Sequence, residues 1–290
     1  MCPRCKGDLA ESGYGLTCGS CGASYRRIEG VPLLLPESLS PQQLSQTEYF
    51  DSEFARYDER YAPENWRLSF SRRIIRALRL DERRGPYLDV GVGGSGATVI
   101  EVARLGVDAT GCDLSVSGVV HAARLASAER LDGRAQFVAC AAESLPFANA
   151  AFGAASAVAV LEHLDEDAAA VGELARVVRP GGRVWITVPL AYRYMLPPVW
   201  PIYYRHDRKL GHKRHYDEAD LARRLEAAGF RRVETTYTGH LVKILQLAAT
   251  RVPLSSRRRD RLWWALERMD LRAAGRPYGA LQLNAVFERT

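Results

Sequence analysis

Short apolar runs alternate with stretches of helical spacing along most of this chain. Strands are predicted at Tyr87–Val90, Val107–Cys112, Gln136–Cys140, Phe152–Val160, Gly182–Val188, Arg231–Thr236 and Leu281–Phe287, each about the length of a buried strand. Apolar residues recur at helical intervals in Ala97–Leu105, Val116–Arg130, Glu166–Val178 and Asp217–Ala228. Strands alternating with helices predict an α/β protein whose mostly parallel sheet is covered on both faces. Upstream, Ser71–Leu80 reads as a basic amphipathic helix. Tyr49, Phe50, Phe54, Tyr57 and Tyr61 recur at near-helical spacing, as in a helix packed on the next domain. The expected organisation is a small unit over 1–36, linker and N-terminal helices over 37–85, and the α/β domain over 86–290. The Ser/Pro/Gln-rich residues 37–48 are the expected linker proper.

The first strand of the domain runs straight into Gly91, Gly93, Gly94 and Gly96, and a helix follows at once. That arrangement lets a ligand lie against bare backbone at a helix N-terminus. The next strand ends at Asp113, about 20 residues on, where a doubly wound fold holds a ribose by its hydroxyls. Loop and acid together are equally compatible with a dinucleotide.

In the N-terminal unit, Cys2, Cys5, Cys18 and Cys21 form C-x2-C-x12-C-x2-C. Two such knuckles bring four thiolates to one tetrahedral centre, which suits zinc, and four Cys leave no open coordination position. The expected metal is therefore structural. The segment Ala23–Pro36 reads as strand, turn and strand.

At 290 residues the chain has room for a large domain and a small one. No window reaches 18 uninterrupted apolar residues, so no transmembrane helix is expected, and the N-terminus lacks an apolar signal core. A cytoplasmic location is the expectation. The net charge of +6 is concentrated in 251–276, which holds eight Arg against Asp260, Glu267 and Asp270. Basic residues elsewhere are also nearly all Arg, a bias of composition that makes the pI near 9.1 weak evidence for nucleic acid.

Five motifs in order narrow the ligand. LDVGVGGSG (88–96), TGCDLS (110–115), AAESLPF (141–147), FGAASAVAVLEHLDED (152–167) and LARVVRPGGRVWITVP (174–189) resemble the class I S-adenosylmethionine (SAM)-dependent methyltransferases. The cysteine unit, followed by GVPLLLP (30–36), is similar to the zinc ribbon fused to or partnering such enzymes. The resemblance implies a Rossmann-like doubly wound sheet of seven strands, with 190–216 and 238–278 as variable, substrate-side segments. It also implies roles. Gly91, Gly93 and Gly94 would approach the amino-acid end of SAM and Asp89 its amino group. Asp113 would take the ribose hydroxyls, Leu114 would lie against the adenine, and Ala142 and Glu143 at its edge. Val158 would face the methionine portion, and Tyr57 would cover the ligand. Three positions depart from the family pattern: Ser95 stands where a glycine is frequent, Ala141 where an acid often contacts the adenine amino group, and Gly153 where an acid is frequent after Phe152.

Methyl transfer from a sulfonium is governed by positioning, and a hydroxyl acceptor gains from a base. His212, His163 and His215 are the candidates, His212 favoured because it opens the substrate-side segment. Glu162-His163 also resembles part of a metal site of quinone-pathway O-methyltransferases, but Ala159 stands where a further acid would be, so no catalytic metal is expected. The aromatic, proline-rich Tyr192–Tyr204 reads as a lid or acceptor wall; Pro197, Pro198 and Pro201 exclude a regular helix through it. In 251–276, Leu262, Leu266 and Met269 share a helical face, suited to packing or to a homodimer contact. Docking on an anionic lipid, acidic carrier or RNA is the sharper reading. The leading expectation is methylation of a small-molecule acceptor, most simply at oxygen. The alternatives are an RNA base methyltransferase and a non-catalytic scaffold. A ribbon that is not basic speaks against the first, and intact Gly91, Gly93 and Asp113 against the second.

Overall fold

A computed structural model describes residues 1–13, 15–54, 65–82, 85–240 and 256–290, with side chains described outside 65–67 and 256–260. The N-terminal unit is a four-stranded antiparallel sheet of β1 (Leu9–Ser12), β2 (Gly15–Cys18), β3 (Ser24–Ile28) and β4 (Val31–Pro32), in that order. Two helices follow, α1 (Pro41–Phe54) and α2 (Asn65–Leu78). Then come β5 (Tyr87–Val90), α3 (Ala97–Arg104), β6 (Ala109–Asp113), α4 (Val116–Ala128), β7 (Ala135–Ala139) and β8 (Phe152–Val158). The chain continues through α5 (Asp167–Val177), β9 (Val178–Pro189), α6 (Trp200–Leu210), α7 (Glu218–Ala227), β10 (Phe230–Thr238), α8 (Ser256–Arg272) and β11 (Gln282–Arg289).

These strands form one seven-stranded sheet in the order β7-β6-β5-β8-β9-β11-β10. The five from β5 to β9 pair in parallel, and β11 runs antiparallel between β9 and β10. Strand order reverses between β5 and its neighbours β6 and β8, so a crevice opens at the carboxyl ends of these strands. Central strands have no solvated face and read as continuous apolar runs. Along β5, Leu88 and Val90 enter the core on the face covered by α5 and α7, whereas Tyr87 points to the face covered by α2, α3 and α4. Asp89 shares the Tyr87 face and is buried there.

Several predicted boundaries move. Residues 37–48 are not an extended linker: α1 starts at Pro41, where a proline costs nothing because a first-turn N–H lacks an intrahelical partner. Its first half carries glutamines and no apolar stripe, so periodicity revealed only the part that holds Tyr49, Phe50 and Phe54. Prolines do exclude a regular helix over 192–199, which forms two 3-10 turns, but Pro201 sits in the first turn of α6. Strand β9 begins earlier than predicted because Val178 pairs with Phe152 before a register shift. On α8, only Leu266 of the proposed apolar face is buried; Leu262 and Met269 are exposed. Polar contacts seat the helix instead. Ser69 Oγ donates to Glu267 at 2.5 Å, and the Asp270 carboxylate accepts from the backbone N–H of Gly239 and His240 at 2.8 and 2.9 Å. No helix among the described residues is long and apolar enough to cross a membrane.

Candidate active site

A cavity of about 360 Å³ opens at the switch point, reaching from the glycine loop to a cluster of histidines. Gly91, Gly93, Asp113, Leu114, Ala142, Glu143 and Val158 line it, as do His163 and His212. Asp89, Gly94 and His215 do not, and Tyr57 lies outside the described residues.

The glycine end is built by local backbone. Asp113 closes β6, and its carboxylate accepts from the Gly93 N–H and the Ser115 N–H, both at 2.9 Å. Burial pushes its pKa up, and these N–H donors work against that. Each oxygen keeps a lone pair, so the carboxylate can still take two hydroxyls. Asp89 lies beneath the loop. Its carboxylate accepts from Ser156 Oγ at 2.5 Å, and Ser156 lies 2.5 Å from the Tyr87 hydroxyl. Burial pushes Asp89 up to about 7. Gly94 is occupied from outside: a Cβ there would stand 2.9 Å from the Phe54 ring.

Helix α1, which carries the aromatic residues read from the spacing as a packed helix, roofs this end. Gln42, Gln43, Gln46, Thr47, Phe50 and Phe54 line the cavity. Asp51 accepts from Ser115 Oγ, and from Ser117 Oγ at 2.6 Å and Ser117 N–H at 3.2 Å, at the N-terminus of α4. Gln42 donates to the His163 carbonyl at 3.1 Å and Gln46 to the Leu210 carbonyl at 3.0 Å. The cysteine unit buttresses the wall beside Ala142 and Glu143. Ser144 Oγ donates to the Pro3 carbonyl at 2.7 Å, Lys6 to the Leu145 carbonyl at 3.0 Å, and the N-terminal amine to the Pro146 carbonyl at 3.0 Å.

The histidine end is assembled from distant segments. Glu162 and His163 follow β8. Helix α6 ends at Gly211, whose left-handed backbone (φ 69°) folds the chain back so that His212 and His215 face Asp207. The Lys213 N–H donates to the Glu162 carbonyl at 2.8 Å, and Tyr216 pairs with Leu190, pinning the turn to the sheet. His212 Nδ1 lies 2.8 Å from Asp207 Oδ1, and His215 Nε2 lies 2.8 Å from Asp207 Oδ2. Neither pair is aligned as a hydrogen bond. The Tyr192 hydroxyl does donate to Asp207. Burial raises Asp207, but His212, His215 and Tyr192 together hold it below the usual carboxylate range. Burial pushes Glu162 up to about 8, and burial with the neighbouring His212 pushes His163 down to about 3. The structure thus adds Glu162, Asp207, Tyr203 and His206 to the predicted histidines, and sets His215 behind Asp207.

The four cysteine sulfurs lie within 4.8 Å of one another, with Cys2 and Cys21 3.7 Å apart and Cys5 and Cys18 3.5 Å apart. Metal–sulfur bonds of about 2.3 Å put tetrahedral thiolates about 3.8 Å apart, so this set fits a four-thiolate ion.

Residues 88–186 match the family model described as a methyltransferase domain. With the motifs, sheet order and switch-point cavity, this region belongs to the class I SAM-dependent methyltransferases. Over 110 residues the chain is 36% identical to the O-methyltransferase resE of Aspergillus sclerotiorum, covering 37% of this chain and 41% of that protein. The chain spans less than half the length of the curated relatives it matches. Among solved structures, geranyl diphosphate C-methyltransferase from Streptomyces coelicolor A3(2), in complex with Mg2+, geranyl diphosphate and S-adenosyl-L-homocysteine, superposes with a TM-score of 0.65 at 16% identity, over 87% of this chain and 99% of that one. The [4+2]-cyclase SpnF superposes with a TM-score of 0.59 at 22% identity, over 87% and 97%. A cyclase among the neighbours means that the fold leaves the reaction to the site.

Proposed function

We propose that this chain transfers the methyl group of SAM to an oxygen of a small-molecule acceptor. The observation that carries the reading is one continuous cavity with Asp113 and the glycine loop at one end and Glu162, His163 and His212 at the other. Asp113 would accept the ribose hydroxyls, Leu114 would pack on the adenine, and Ala142 and Glu143 would border it. Gly91 and Gly93 would admit the amino-acid portion, Gly94 would shape the loop, and Val158 would flank the methionine chain. Asp89 acts from beneath, tying β5 to β8 through Ser156 below the loop. SAM supplies an already activated methyl, so the residues' work is alignment and water exclusion. Helix α1 provides the roof. His163 and His212 line the end where an acceptor hydroxyl would be activated, and His215 holds Asp207 from behind.

Oxygen as the acceptor atom is supported by the O-methyltransferase relatives and by imidazoles and carboxylates at that end. The cysteine unit is proposed to hold one structural zinc, supported by the sulfur spacing. A homodimer, or an anionic surface docked along 251–276, stays a secondary reading; residues 251–255 lie outside the described residues.

Calorimetry with SAM tests the first half of the reading, and transfer of labelled methyl from SAM to panels of phenols, alcohols and carboxylic acids tests the second. Saturable SAM binding with label in an ether or ester is expected. Absence of SAM binding by the zinc-replete chain would overturn it.

A further inference from the structure

Two buried side-chain atoms at the histidine end, Glu162 Oε2 and His163 Nδ1, have no hydrogen-bond partner, whereas His212 Nδ1 and His215 Nε2 each lie 2.8 Å from the Asp207 carboxylate. Unsatisfied buried polar atoms are costly and uncommon, and two in one place call for a missing partner. Glu162 is 1% exposed and the His212 side chain 6%. One ligand atom each from Glu162, His163 and His212 lies within 4.8 Å of the others, and all three residues line the cavity. We propose that Glu162, His163 and His212 form a binding site for a divalent transition-metal ion at the acceptor end of the cavity.

The donor chemistry selects the ion. Two imidazoles and one carboxylate suit a first-row cation such as zinc, iron, cobalt or manganese, and three protein ligands leave positions open for an acceptor oxygen. Asp207 stands 2.8 Å behind His212, the carboxylate–histidine arrangement that orients a ligating ring and raises its basicity. His215 and Tyr192 hold that carboxylate in turn. A site of this kind reverses the sequence expectation of no catalytic metal. That expectation rested on Ala159, the neighbour along the chain, whereas His212 arrives from 50 positions beyond Glu162. Binding of the ion would draw these ligand atoms in from their spread of up to 4.8 Å.

The site deepens the methyltransferase reading and rests on it. A hydroxyl bound to the ion loses its proton to water near neutral pH, as metal-bound water does. The resulting oxygen takes the sulfonium methyl: an O–C bond forms, the S–C bond breaks, and S-adenosylhomocysteine leaves with the methylated product. His212 then serves by holding the ion, and no separate base is required.

The test uses the full chain with its cysteine site filled with zinc, titrated with Co2+. One equivalent should bind with weak visible d–d bands and no thiolate charge-transfer absorption, which separates it from the four-cysteine site. His163→Gln and His212→Ala should each weaken Co2+ binding by about 100-fold or more, and Asp207→Asn by about 10-fold or more. Calorimetric SAM affinity of the histidine variants should stay within about threefold. His163→Gln keeps a polar side chain of similar bulk, so it stands if His212→Ala does not fold. Saturable SAM binding without Co2+ binding would overturn the metal site and leave the methyltransferase reading intact; so would Co2+ binding that survives both histidine substitutions. Co2+ binding without SAM binding would overturn the methyltransferase reading instead.

Discussion

At the glycine end of the cavity, both oxygens of Asp113 accept backbone N–H groups at 2.9 Å. At the other end, Glu162 Oε2 and His163 Nδ1 are buried without hydrogen-bond partners. The first end is complete as folded, because the donors that hold its carboxylate come from two successive strand–loop–helix units. The second is gathered from segments some 50 residues apart and stays unsatisfied until something enters. A ligand that every turnover shares can be met by fixed backbone. An acceptor, or an ion that activates it, is met by side chains whose satisfaction waits on binding.

The sharpest way to break this division of labour is at His212. His212→Ala should lower kcat by about 10²- to 10⁴-fold with SAM affinity nearly unchanged, as read by initial rates and calorimetry on one preparation. A parallel loss of SAM affinity would mean that the two ends are not separate. Asp113→Ala comes next and should weaken SAM by about 100-fold, near 2.7 kcal/mol, because it removes the hydroxyl acceptor and releases the Gly93 N–H. Unchanged calorimetric affinity would remove Asp113 from the cofactor site.

Asp89 sharpens the contrast through pH. Burial pushes its carboxyl up to about 7 in the folded chain, against about 3.9 when unfolded. The folded state therefore holds this proton more tightly, so stability falls as pH rises from about 4 through about 7. Between pH 5 and pH 8 the loss is about 2 to 3 kcal/mol. Urea unfolding of the wild type should show that loss relative to Asp89→Asn, which cannot ionise. Parallel profiles would mean that Ser156 and Tyr87 already stabilise the charge. The smallest effect is expected at Lys6, whose ammonium holds the Leu145 carbonyl and Glu173 at 3.0 and 2.9 Å. Lys6→Ala should weaken SAM about two- to threefold, since a partly exposed ion pair contributes about 0.2 to 1 kcal/mol. No change would mean that the cysteine unit does not brace the wall beside Ala142.

The parallel core was legible because strand, loop and helix periods are short-range, and each element announced itself within ten to fifteen residues. Gly91, Gly93 and Asp113 were legible for the same reason. The first half of α1 was not: Gln42, Gln43 and Gln46 reach carbonyls and carboxylates elsewhere, and such contacts leave no apolar stripe. Asp207 fell within the substrate-side segment 190–216, yet nothing local distinguished it from the solvated charges beside it. Its meaning came from the left-handed turn at Gly211, which sets two histidines against it.

Amino-acid order alone determined the α/β architecture, the glycine loop with its ribose acid, and the paired cysteine knuckles. In each, the participating residues lie close along the chain and their geometry follows from turn and strand stereochemistry. Tertiary structure decided that Asp89 faces Ser156 rather than the cavity, that α1 becomes a roof, and that Glu162 and His163 meet His212. Those meetings depend on the strand order β5-β8-β9 and on where α6 stops, and spacing along a sequence carries no record of strand order.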